Sequence, residues 1–350
     1  MDLHTFLQET TQKDGVSGYE DVIGDFLDGV FESLVDEIRK DNLGNHFFYK
    51  KGSGEDVPRV MLCAHMDEIG LIITRIDEEG FLRFSSLGGF DPRTLPGQEV
   101  TLWGREPRPG LIGYKPAHLL NENERGKAVK MEDLFIDTGL PPEDLREMIP
   151  VGTVAAIKRN FLSLQGECRA GKALDDRAGL AVLWQCAREL TRLRHEAEVF
   201  LVATVQEEVG TRGAVVSTFG IAPDLGIAVD VCHGTFPGAA EHEVSSLGGG
   251  PVITCGPNIH PHISEKLEET AREYHLPFQK DISPGPTGTD ARSIQISLEG
   301  VPAGLLSVPL RYMHTSVELV NMEDIKSGGR LLAYFIAGLD RSFLEGLTCF

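Results

Sequence analysis

The chain has six cysteines, Cys63, Cys168, Cys186, Cys232, Cys255 and Cys349, and none of them forms a Cys-x-x-Cys pair. That scatter argues against a thiolate-held structural zinc and fits small buried hydrophobes in a reducing compartment. No apolar run approaches the ~20 residues needed to span a membrane. The opening Met-Asp-Leu-His-Thr-Phe-Leu-Gln lacks the basic and apolar regions of a signal peptide, so a cytoplasmic location is expected. Basic charge is scarce, with 33 Lys and Arg against 53 Asp and Glu for a net −20. Such a balance disfavours nucleic acid and anionic membrane surfaces as partners. Neither a Gly-x-Ser-x-Gly elbow nor a Gly-x-Gly-x-x-Gly turn after a strand is present, which disfavours a serine hydrolase and a nucleotide site.

What is present is an α/β texture interrupted once. The 350 residues allow a large domain and a smaller one. Residues 1–40 read as two amphipathic helices split by Asp14-Gly-Val-Ser-Gly18, with Ser17 as a cap. A short Phe47–Tyr49 strand follows, and then Val60–Ala64 reads as a buried strand. Between about Gly70 and Gly166 the runs become short and alternating, separated by Gly turns, as in a small antiparallel barrel or sandwich inserted into an α/β domain. Within it, the polar stretch His118–Met131 reads as a long loop or a contact surface. Helical and strand patterns resume after Gly166 and run to a last helix over Met322–Leu339.

The chemistry collects at element tips. The apolar run Val199–Val205 ends in Gln206-Glu207-Glu208, and Val60–Ala64 ends in His65-Met66-Asp67. Asp175-Asp176 opens an apolar helix, Leu225–Asp230 ends in a carboxylate, and Ala303–Val308 leads to His314. In open α/β sheets the carboxyl ends of the strands are where sites form. Adjacent Glu207 and Glu208 diverge on a straight strand, so one can bind a metal while the other moves a proton. Gly210 and Gly213 would supply the turn that lets both face one centre.

Singly, each residue has a plain structural reading: Asp175 and Asp176 could cap their helix, Asp230 could cap a turn, and a lone histidine usually makes an ordinary hydrogen bond. Together they bring two histidines and several carboxylates to buried tips, and burying those carboxylates is costly without compensating cations. Only Lys172, Arg177, Arg212 and Arg311 stand nearby. Imidazole with carboxylate suits zinc, cobalt or manganese. The count fills two sites if one aspartate bridges, leaving one acid as general base.

The motifs Ala64-His-Met-Asp-Glu-Ile-Gly70, Lys172-Ala-Leu-Asp-Asp-Arg-Ala-Gly179, Gln206-Glu-Glu-Val-Gly-Thr-Arg-Gly-Ala214 and Arg311-Tyr-Met-His-Thr315 resemble the TET-type (tetrahedral) dinuclear metallo-aminopeptidases. That family includes glutamyl and leucyl aminopeptidases and proteins labelled cellulase M. Gly249-Gly-Pro, Gly256–His260 and Thr287-Gly-Thr-Asp-Ala291 extend the match, in order, over essentially the whole chain.

The resemblance implies an α/β/α phosphorylase/hydrolase-like zinc-peptidase domain, residues 1–69 and 166–350, with a β-barrel dimerisation domain inserted at 70–165. It implies two divalent ions, zinc or cobalt with manganese also suited. His65 and Asp230 would hold one, Glu208 and His314 the other, and Asp175 would bridge across a cis Asp175–Asp176 bond. Glu207 would be the general base and Asp67 would orient His65. Peptides would be the substrates, and dimers would assemble into a tetrahedral dodecamer. The choice of Asp175 over Asp176, and of Glu208 over Glu207, rests on the resemblance. The substrate pocket is expected near Cys232–Gly238, Ile282–Asp290 and Leu306–Arg311, where Arg292 or Arg311 could favour acidic side chains. His233, His242, His260 and His262 are read as cleft or loop residues. The rival readings are a metal-independent glycosidase and a non-enzymatic metal-binding scaffold.

Overall fold

The computed structural model describes residues 1–54, 57–121 and 126–347. Cys349 and positions 122–125 of the polar stretch His118–Met131 lie outside the described residues.

The strands of the main sheet are β1 (Glu37–Lys40), β2 (His46–Lys50), β3 (Arg59–His65), β10 (Leu162–Ser163), β11 (Cys168–Gly171), β12 (Glu198–Thr204), β13 (Leu225–His233), β14 (Val252–Cys255), β15 (Gln279–Ile282), β16 (Ala303–Arg311) and β17 (Glu318–Asn321). Between β3 and β10 come β4 (Gly70–Ile76), β5 (Leu82–Leu87), β6 (Glu99–Trp103), β7 (Pro107–Gly113), β8 (Phe135–Asp137) and β9 (Val154–Ile157). The helices are α1 (Leu3–Thr11), α2 (Asp21–Phe31), α3 (Pro142–Met148), α4 (Leu174–Leu190), α5 (Arg212–Ile221), α6 (Pro261–Glu273), α7 (Asp290–Gln295), α8 (Met322–Ala337) and α9 (Arg341–Glu345).

Among the described residues the main sheet has eleven strands, ordered β1-β2-β12-β3-β13-β16-β17-β11-β10, with β14 paired to β16 off this path and β15 paired to β14. At its centre β12, β3, β13 and β16 run parallel. A parallel strand is covered on both faces, which is why these segments read as unbroken apolar runs. The alternation is still visible in the packing. Val60, Leu62 and Ala64 join the core beneath α1, α2, α4 and α8, whereas Met61 and Cys63 join the smaller core beneath α5 and α7. The result is an α/β/α sandwich.

Helix α4 carries apolar residues on nearly every side, and almost all of it is buried. That composition fits a helix enclosed between the sheet and α8. Close contact with α8 depends on Gly329, where a Cβ would lie 2.5 Å from that of Gln185.

The inserted strands close into a barrel, β4-β5-β8-β7-β6-β9. The sequence left barrel and sandwich open, and the pairing of β9 with both β4 and β6 makes it a barrel. Its interior is a separate cluster that includes Leu71, Ile73, Leu82, Val100, Leu102, Ile112 and Ile136.

Two local expectations change. Ser17 caps no helix: α2 begins at Asp21 after Glu20, without a side-chain cap, and the Ser17 hydroxyl donates instead to Asp67 Oδ2 at 2.6 Å. The strand read as ending at Asp230 continues to His233, because β16 stays paired with it to Leu310. Among the described residues no helix is long and apolar enough to cross a membrane.

Candidate metal centre

In the register of the parallel strands His65 stands beside Thr204, and β13 flanks β3 on the other side. Three chain segments therefore leave the sheet at one edge. After β12 the backbone turns at Gln206, a non-glycine residue in the left-handed region with φ 56°. The Glu207 and Glu208 amides then both donate to Asp67, at 2.9 and 3.1 Å. Gly210 shares in the turn with φ 120°, but Gly213 does not. Gly213 sits in α5, where a Cβ would lie 2.5 Å from the Val205 backbone, so it serves close packing.

The two aspartates at the head of α4 part company. Ala173 is left-handed, the Asp175–Asp176 peptide bond is cis, and neither aspartate has helical dihedrals. Asp176 turns inward, fully buried, and accepts from the Gly179 amide at 2.8 Å. Asp175 faces two histidines, with Oδ1 3.0 Å from His65 Nε2 and Oδ2 3.3 Å from His314 Nε2. His314 reaches it from the β16–β17 loop, where Tyr312 and His314 are both left-handed. Its Nε2 also lies 3.4 Å from Glu208 Oε1.

Two sets of donor atoms lie within 4.8 Å of one another: His65, Asp175 and Asp230, and Asp175, Glu208 and His314. Asp175 belongs to both. The Glu207 side chain belongs to neither and borders the same cavity. Asp67 approaches His65 Nδ1 chiefly through its main-chain carbonyl, at 3.1 Å, with its carboxylate at 3.4 Å.

The electrostatics are those of anions crowded out of water. Burial pushes the carboxyls of Asp176 and Asp230 well above the usual range. Burial also takes Glu207 up to about 10, with the charges of Asp230, Asp290 and Glu208 adding to it against the pull of His65. His314 is raised to about 11 by its contacts with Asp175 and Glu208. Two of the nearby cations are engaged elsewhere. Lys172 Nζ sits 2.7 Å from both Asp14 and Glu68, and Arg177 donates to the main-chain carbonyls of Met66 and Lys13. Among the described residues no Lys or Arg is paired with these imidazole and carboxylate donors, and such a donor set fits a divalent cation.

The cavity over these groups measures about 790 Å³. One part of its wall carries Thr211, Thr289, Arg292, Ser293 and Ile296, and another carries Cys232, His233, Glu243 and Asp281. Of the expected pocket segments, Cys232–Gly238 contributes Cys232 and His233, and Ile282–Asp290 contributes Thr287, Gly288 and Thr289. Leu306–Arg311 contributes none, because those residues are paired within β16, and Arg311 donates to the Thr235 carbonyl. Of the four histidines read as cleft or loop residues, His233 lines the cavity, whereas His260 is buried at the start of α6 and His262 pairs with Glu265. Glu243 and Asp281 escaped the sequence reading because they reach the cavity only through long-range packing. Glu318, four positions after His314, escaped it because its bond to the Asp175 amide is long-range.

Residues 44–331 match the family model described as M42 glutamyl aminopeptidase. The chain is 40% identical over 324 residues to a lysyl aminopeptidase of Pyrococcus furiosus, covering 91% of this chain and 92% of that one. Among solved structures it resembles a TET aminopeptidase from a marine-sediment Thaumarchaeota archaeon, with TM-score 0.94, 32% identity and 99% of each chain covered. It also resembles the Pyrococcus horikoshii TET1 peptidase, which can assemble into a tetrahedron or a large octahedral shell, with TM-score 0.86, 31% identity and coverage of 97% and 100%.

Proposed function

The chain belongs to the M42 glutamyl aminopeptidase family, and on that premise we propose that it releases N-terminal residues from peptides at a centre of two divalent metal ions, with Glu207 as general base. The observation that carries this reading is Asp175, whose two oxygens are shared between two histidine–carboxylate sets while Glu207 stands beside them uncommitted.

His65 and Asp230 would hold one ion, Glu208 and His314 the other, and Asp175 both. Bound zinc or cobalt, or manganese, supplies Lewis-acid polarisation of the scissile carbonyl and a lowered pKa for the attacking water. Glu207, ionised once bound cations draw its raised carboxyl pKa back down, would take the water proton and pass it to the leaving amine. Asp67 steadies this geometry, since it holds the Glu207 and Glu208 amides together.

Residues 1–69 and 166–350, together with β10 of the main sheet, would form the catalytic domain, and the rest of 70–165 a barrel through which copies dimerise and then assemble further. Light scattering on the purified protein tests that assembly, with a single monomeric species as the contrary result. For the chemistry, Glu207→Gln is expected to keep its metal content and lose ~10²–10⁴-fold in kcat on aminoacyl p-nitroanilides. Undiminished turnover in that variant, or wild-type turnover untouched by chelation, overturns the reading.

A further inference from the structure

Glu318 opens β17 with only 2% of its surface exposed. Its Oε1 accepts from the His314 amide at 2.9 Å and its Oε2 from the Asp175 amide at 3.0 Å. Among the described residues no Lys, Arg or His forms an ion pair with it. A buried carboxylate with no cation is costly, and here both oxygens are spent on backbone amides. Those amides belong to two candidate ligands on unrelated elements. One is at the head of α4, next to left-handed Ala173, and the other is in a loop where Tyr312 and His314 are left-handed. At neither position are the dihedrals those of regular helix or strand, and Glu318 joins the two main chains directly.

We propose that Glu318 is a positioning residue that sets the separation of Asp175 and His314 by holding both backbones, so that the second ligand set is formed before an ion arrives. The inference rests on the metal reading above. It makes Glu318 the counterpart of Asp67, which in the same way holds the amides of Glu207 and Glu208. Between them, two buried carboxylates would anchor four of the functional side chains by their main chains. Partners behind the ligands themselves commonly set metal affinity.

Glu318→Gln tests it, because glutamine keeps the volume but offers one acceptor oxygen and turns an amide nitrogen toward a backbone N–H. Cobalt(II) titration of the metal-free protein, followed by visible absorption, reads the two equivalents separately. The expected result is one equivalent bound ~10–100-fold more weakly, with activity recovered at excess cobalt and the melting temperature of the metal-free protein close to wild type. Two equivalents at wild-type affinity overturn the proposal. So does a variant whose metal-free melting temperature falls while its cobalt affinity does not, since that marks a purely structural role. Where Glu318→Gln does not fold, Glu318→Asp serves. Its shorter arm reaches one amide at most, so the same weakening is expected and wild-type affinity overturns the proposal. Wild-type protein titrated alongside separates this from its premise: if wild type takes up no cobalt, the metal centre itself is what fails.

Discussion

The barrel and the main sheet bury different things. Between residues 70 and 157 the buried side chains are apolar, with Thr153 the one polar exception among the described residues. The main sheet buries His65, Asp67, Glu68, Lys172, Asp175, Asp176, Arg177, Asp230, Asp290 and Glu318, most of them at one edge. Both regions pack apolar residues inward on alternating strand faces, so the difference is not one of folding rules. The barrel interior is what hydrophobic burial alone produces. The sheet edge holds groups that oppose folding unless they are paired, and a fold that keeps them there is keeping a site.

Substitutions on each side sharpen that contrast. Lys172 lies 5% exposed between Glu68 and Asp14. Lys172→Met would leave Glu68 buried without its cation, and denaturant titration is expected to show a loss of about 3–5 kcal/mol. A loss under about 1 kcal/mol would mean that water, not Lys172, compensates Glu68. In the barrel, Leu102 is fully buried. Leu102→Ala is expected to cost about 2–5 kcal/mol through its cavity while leaving kcat per folded molecule unchanged. A drop in kcat at a temperature where the variant stays folded would break the separation of the two regions.

The smallest effect is expected at the cavity wall. Glu243 and Asp281 are exposed acids bordering the cavity, each expected to contribute about 0.2–1 kcal/mol toward a substrate cation. The pair Glu243→Gln with Asp281→Asn should therefore lower kcat/KM for lysyl p-nitroanilide a few-fold relative to leucyl. A reversed or absent change would hand control of side-chain preference to Arg292 on the other part of the wall.

Much of this was legible from residue order. The runs Val60–Ala64 and Val199–Val205 are buried parallel strands, and the change of texture near Gly70 marks where the barrel strands begin. Asp175, Asp176, Glu207 and Glu208 were visible as acids at element tips, yet adjacent acids look alike in a sequence. Ser17 illustrates the limit: its spacing fits a helix cap, but its hydroxyl goes to Asp67, fifty positions away. Glu243 and Asp281 carry no local signal at all, because what brings them to the cavity is the pairing of β15 with β14 and the return of the chain beside the end of β13.

The sequence by itself determined the elements, the apolar faces that bury them and the set of ionisable side chains at their tips, since these follow from periodicity and composition. Only the tertiary structure decided direction. Asp175 faces the histidines while Asp176 caps its helix, and Glu208 joins a donor set while Glu207 stands free. The physical reason is that a side chain's heading depends on backbone dihedrals, and here three of the four backbone amides are held by carboxylates 140 to 143 positions away. Asp67 holds the amides of Glu207 and Glu208, and Glu318 holds those of Asp175 and His314.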